Sequence, residues 1–168
     1  MNRRLWMAAV LGIALSGTAF SQEDPGKAKI GWVTVTVYHA TDGDPAAAGP
    51  KAGPVSKQTA ERLRKIEKLR FKSYRILGQD TQPLLRSYES WAQPLKPSSE
   101  VMVRFEAQGT PTGNKALLDL ELWLARKKTV KTDAHLEGNR PLYVLGPKWR
   151  GGRLIIAVAL ASKRKHGS

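Results

Sequence analysis

Leu142–Ala161 reads LYVLGPKWRGGRLIIAVALA, and this stretch decides the fold. A short apolar run, Leu142–Leu145, leads into a segment dense in chain breakers: Gly146, Pro147, Gly151 and Gly152. Consecutive glycines permit the positive φ that a tight hairpin requires. A second apolar run follows, in which Leu154, Ile156, Val158 and Leu160 alternate with Ile155, Ala157, Ala159 and Ala161. A strand that is apolar on both faces belongs in the middle of a sheet with both sides covered. The rest of the chain is therefore read as material packed around this strand.

Working outward, Val101, Val103, Phe105 and Ala107 alternate with Met102, Arg104 and Glu106. Leu118, Leu120, Leu122 and Leu124 alternate with Asp119, Glu121 and Trp123. Period-two alternation predicts two strands with one face toward a core. Thr129–Leu136 is more polar and suits a sheet edge, and Leu84–Ala92 reads as a strand carrying Tyr88 and Trp91. Ile30–Ala40 is a strand rich in β-branched and aromatic residues, with Val33, Val35 and Val37 on one side. Thr41–Val55 is punctuated by Gly43, Pro45, Gly49, Pro50, Gly53 and Pro54, and its length and lack of aromatics predict a disordered loop. Ser56 is a candidate N-cap for the only helix, Lys57–Leu69, whose apolar stripe is Ala60, Leu63, Ile66 and Leu69. Phe71–Leu77 reads as extended. About eight short strands and one helix predict a mainly β fold: an antiparallel β-sandwich with the helix over an end or an open side.

The first residues read as a targeting signal. Arg3 and Arg4 precede an apolar run, Leu5–Leu15, too short to span a bilayer, and Ala19-Phe20-Ser21 fits a cleavage site. The expectation is a signal peptide at 1–21 and a single mature domain at 22–168, with a flexible lead-in and a basic C-terminal tail. The chain contains no cysteine, which excludes disulfides and thiol chemistry and leaves burial to hold the fold. A cysteine-free exported chain of this size suits a bacterial periplasm or cell exterior.

Charge is the strongest global feature. The whole chain carries +14, and loss of Arg3 and Arg4 leaves +12. Residues 57–75 and 126–153 each hold eight Lys or Arg against two acids. Clustered positive charge attracts polyanions: phosphate-bearing envelope polymers, anionic headgroups or, less favoured, nucleic acid.

Leu69-Arg70-Phe71-Lys72-Ser73-Tyr74-Arg75-Ile76-Leu77, together with Gly146-Pro147-Lys148-Trp149-Arg150-Gly151-Gly152-Arg153-Leu154-Ile155-Ile156-Ala157, resembles segments of a loosely defined set of small exported bacterial domains without assigned function. In that set one strand precedes a helix ending in an aromatic-Ser-Tyr segment, and the chain closes on a Gly-rich hairpin. The resemblance implies a β-rich fold and supplies no activity, cofactor or site residue.

Enzymatic chemistry has little to draw on. The chain lacks a Gly-x-Ser-x-Gly elbow and a phosphate-cradling loop, and it implies no cofactor. His39 with Asp42 and Asp44 could form a metal or acid–base site, or be a strand end running into an Asp-rich turn. His135 and Asp133 share a strand face. A small hydrolase would need a carboxylate pair from separate elements. Binding is better motivated. Lys148, Trp149 and Arg150 would present an aromatic between two cations, able to stack on a ring while the charges take phosphate, or Trp149 folds back over the sheet. Arg62, Lys65, Lys68 and Arg70 form a basic helix face. Two functions follow as expectations: a non-enzymatic binder of anionic envelope polymers or surfaces, or a protein-interaction module of an envelope or secretion assembly.

Overall fold

Thirteen residues, Lys29–Thr41, form β1, around which the chain is arranged. In the computed structural model, residues 23–138 and 140–161 are described. The expected signal segment (1–21) lies outside them, as do His166 and the tail cations Lys163, Arg164 and Lys165. The further elements are β2 (Gly53–Pro54), α1 (Lys57–Arg64), β3 (Ser73–Leu85), β4 (Ser90–Ala92), β5 (Val101–Ala107), β6 (Lys115–Leu124), β7 (Lys127–Glu137), β8 (Leu142–Trp149) and β9 (Gly152–Leu160). They make two antiparallel sheets: five strands in the order β2-β3-β1-β9-β8, and four in the order β4-β5-β6-β7. Among the described residues this is the expected β-sandwich with one α-helix.

The main core lies between the sheets. Val33, Val35 and Val37 of β1 and Leu154, Ile156 and Val158 of β9 meet Val101, Val103 and Phe105 of β5 and Leu118, Leu120 and Leu122 of β6. The alternation in each sequence run is thus realised as an inward row, whose burial drives the pairing. A second core covers the outer side of the five-stranded sheet. There Leu63 of α1 and Leu69 pack on Tyr38, Ala40, Tyr74, Ile155 and Ala157. The helix covers an open face, and this explains why β9 is apolar on both sides. The central strand, however, is β1, with β9 beside it. Both strands run beneath the helix, so apolarity on two faces does not distinguish the centre from its neighbour.

Three other expectations need correction. The helix stops at Arg64, its N-terminus capped by Ser56 Oγ on the Thr59 amide, and a separate 3-10 turn spans Glu67–Leu69. Ile66 is extended between them, so Leu69 returns to the core while Ile66 remains 39% exposed. Second, Thr41–Val55 has defined structure. Asp44 caps a 3-10 turn over Pro45–Ala48, Ala48 and Ala52 are buried, and β2 pairs with β3 at Gly53 and Ile76. The alanines supply small apolar cover where the expected loop would leave the sheet bare. Third, Phe71–Leu77 and the start of Leu84–Ala92 belong largely to one long strand, β3, which follows β1 along its whole length. Gly78 and Pro83 lie within it without ending it. At Gly78 a side chain would collide with the Pro94 carbonyl, so the glycine admits a neighbouring segment.

Candidate functional site

The β8–β9 hairpin is tighter than its sequence suggests. β8 continues through Gly146 and Pro147, with a register shift between Leu145 and Lys148, and ends at Trp149. The turn is Arg150–Gly151, at φ 44° and 71°. Two positive φ values in a two-residue turn match the twist of the flanking strands. Positive φ therefore falls on Arg150 and Gly151, and of the two paired glycines only the first uses it. Gly152 has another role: a Cβ there would overlap the Ala40 carbonyl and the His39 ring.

The end of β1 grips this tip. His39 is fully buried, and its Nε2 lies 3.2 Å from the Trp149 carbonyl oxygen. A carbonyl only accepts, so Nε2 carries the hydrogen and donates. His39 Nδ1 is buried and has no hydrogen-bond partner among the described residues. Thr41 Oγ1 donates to the Gly151 carbonyl at 3.0 Å. The metal or acid–base constellation considered for His39 does not assemble. Asp42 Oδ1 accepts from the Lys72 amide and Asp44 Oδ1 from the Ala46 amide, while the His39 ring turns to Trp149. Asp133 accepts from Gln108 rather than from His135.

Two grooves flank the tip. One, of about 530 Å³, runs between Thr41–Gly43, Phe71 and the hairpin, and Lys148, Arg150 and Arg153 border it. The other, of about 510 Å³, lies between the hairpin, Lys51 and Leu77–Gln79, with Lys96 at its rim. Trp149 and Arg150 line both. The Arg150 guanidinium sits 4.5 Å from the Trp149 ring centre, and the half-buried indole packs against the main core. Trp149 is therefore not the open stacking platform of the first alternative. It folds back over the sheet and carries Arg150 on its face.

Acids are scarce here. Among the described residues, Asp42 is the single acid lining either groove. Asp80, close by, pairs with Lys96 at 3.2 Å. Burial pushes its carboxyl up, but hydrogen bonds from the Gln93 amide, Gln82 and Lys96 outweigh this and hold it below its ordinary value.

The structure unites Lys148, Trp149 and Arg150. It does not bring Arg62, Lys65, Lys68 and Arg70 to them: these belong to α1 and the turn after it, over the outer face of the five-stranded sheet, and line neither groove. The 126–153 segment also divides. Lys128 and Lys131 pair with Glu121 and Asp119, and Arg140 with Glu137. Lys51 and Lys96 gave no sequence signal as site residues, since only tertiary pairing delivers them to the hairpin. Comparison of the chain with protein-family models, curated proteins and solved structures finds no match. Among the described residues, no helix is long and apolar enough to cross a membrane.

Proposed function

We propose that the chain is a non-enzymatic binding domain of a bacterial cell envelope, exported by its N-terminal signal, which holds an anionic polymer in the grooves on either side of Arg150. One observation carries the reading: Lys51, Lys96, Lys148, Arg150 and Arg153 border two adjoining grooves whose lining, among the described residues, contains a single acid, already engaged by a backbone amide. Low-dielectric walls focus such a field, and an extended polyanion gains by releasing counterions along both grooves. Fixing the tip through His39 and Thr41 pre-organises the cations and lowers the ordering cost of binding.

Retention of the protein on immobilised lipopolysaccharide, teichoic acid or DNA across a salt gradient tests this. Lys148→Gln combined with Arg150→Asn should elute at markedly lower salt and with a shallower salt dependence. Asn tolerates positive φ, so the turn is preserved. The helix triple Lys65→Gln, Lys68→Gln, Arg70→Gln should elute close to the parent protein. No retention of the parent at low salt on any of the three supports, or equal losses in both variants, would overturn the proposal.

A further inference from the structure

The outer face of the four-stranded sheet carries a second arrangement, which shares no residue with the hairpin grooves. Trp91 of β4 and Trp123 of β6 lie with ring centres 5.8 Å apart and planes tilted by 57°. With Met102, Ser99 and Arg126 they line a groove of about 390 Å³. Trp91 is 36% exposed.

The rings are held from the side. Trp91 Nε1 donates to Glu89 and Trp123 Nε1 to Glu121, each at 3.0 Å. Arg104 in turn binds Glu89, Glu106 and Asp119, and Lys128 lies 3.2 Å from Glu121. Both indole N–H groups and both carboxylates are thereby occupied. What remains on offer is aromatic surface, a thioether, and the polar groups of Ser99 and Arg126 at the rim. Arg126 projects from the two-residue β6–β7 turn, where Ala125 and Arg126 have φ 47° and 64°. A large side chain at positive φ is an uncommon choice where Gly or Asn would be easier. Arg150 occupies the same kind of position beside Trp149.

These features define the occupant. Two tilted rings, each held by its indole N–H and flanked by Met102, offer an apolar aromatic surface suited to a saturated ring with an apolar C–H face. Arg126 supplies donors only, and it is a cation whose fork fits a carboxylate. A cationic guest would meet Arg126 and Lys128, the latter already 5.7 Å from the Trp123 ring centre. We infer that this groove binds a pyranose bearing a carboxylate, as in an acidic polysaccharide, with the sugar ring against Trp91 and Trp123 and the carboxylate on Arg126. The inference stands on this sheet face alone and does not require the hairpin grooves to bind anything.

The test is titration of the full chain with a galacturonic acid trimer, with a neutral trisaccharide of equal size, and with a proline-rich peptide, following tryptophan fluorescence and amide chemical shifts. Saturable binding of the acidic trimer is expected, with shifts centred on Trp91, Met102 and Trp123. Trp91→Ala should weaken it about tenfold, the scale of losing one stacked ring. Arg126→Asn, which preserves the turn, should weaken the acidic trimer by about tenfold and leave the neutral one unchanged. Lys148→Gln with Arg150→Asn should leave this binding intact, which separates failure here from failure of the hairpin reading. Absence of saturable sugar binding, equal affinity for both trimers, a preference for the peptide, or loss only in the hairpin variant would each overturn the assignment.

Discussion

The imidazole of His39 meets the indole of Trp149 edge to face, with 5.6 Å between ring centres, while its Nε2–H reaches the carbonyl of the same residue. One side chain thus fixes both the ring and the backbone of the residue that precedes the turn. The approach is possible because Gly152 leaves room for it. Gly152→Ala is expected to destabilise the domain by about 1–3 kcal/mol, the usual cost of overpacking a filled site. The urea midpoint checks it, and an unchanged midpoint would mean that the tip is not seated on β1 as described.

Arg150 separates stability from binding. At φ 44° an arginine strains the turn, and glycine does not. Arg150→Gly should therefore match or exceed the parent in thermal melting, despite losing the contact with Trp149. Retention on the anionic supports should fall in the same variant. A melting loss of several degrees would show that the cation–π contact outweighs the strain.

Acid should weaken the fold. Hydrogen bonds from the Trp91 N–H and Arg104 hold Glu89 below its ordinary value. At Glu121 burial acts upward, and Trp123 and Lys128 outweigh it. The Tyr88 hydroxyl and the Gly26 amide lower Asp24. A carboxyl lowered on folding binds fewer protons folded than unfolded. Its contribution is complete above the unfolded value, about 4, and disappears as pH falls through the lower folded value. The urea midpoint should be nearly flat from pH 7 to 5 and decline below about pH 4.5. A midpoint that rises on acidification would contradict these assignments.

The two cores predict different failures. Ile156 is fully buried between the sheets, and Ile156→Asp would place an unpaired charge there. It should yield no folded protein. Leu63 is fully buried under the helix, and Leu63→Ala should cost about 2–5 kcal/mol while leaving the inter-sheet packing intact. Near-ultraviolet circular dichroism and denaturant titration distinguish these outcomes.

Alternation made the strands legible. Val33/Val35/Val37 and Leu118/Leu120/Leu122 are core rows because period two on a pleated strand leaves them no other face. Helix length was not legible, since Ile66 and Leu69 continue the apolar spacing while the backbone between them leaves the helix. Phe71–Leu77 and Leu84–Ala92 read as separate segments, yet tertiary pairing with β1 carries one strand through Gly78 and Pro83. At the site, Lys148, Trp149 and Arg150 were visible as neighbours in the chain. Lys51 and Lys96 join them through the packed 41–55 segment and the chain after β4, contacts that no local pattern encodes. The Trp91–Trp123 pair stayed hidden for the same reason: its members are 32 residues apart and meet only when β5 lies between their strands.

The pairing of β1 with β9 also fixes when the molecule can form. Val33 lies opposite Leu160, so the strand at the centre of the larger sheet waits for a partner made more than a hundred residues later. Contacts of such sequence separation carry a large loop-closure cost and fold late. Leu154, Ile156 and Val158 of the inter-sheet core, and Ile155 and Ala157 of the floor beneath the helix, are missing until β9 arrives. A chain emerging N-terminus first therefore has no complete five-stranded sheet until β9 has been made, even though every strand of the smaller sheet precedes it. Truncation before β9 should leave a protease-sensitive polypeptide rather than a smaller domain.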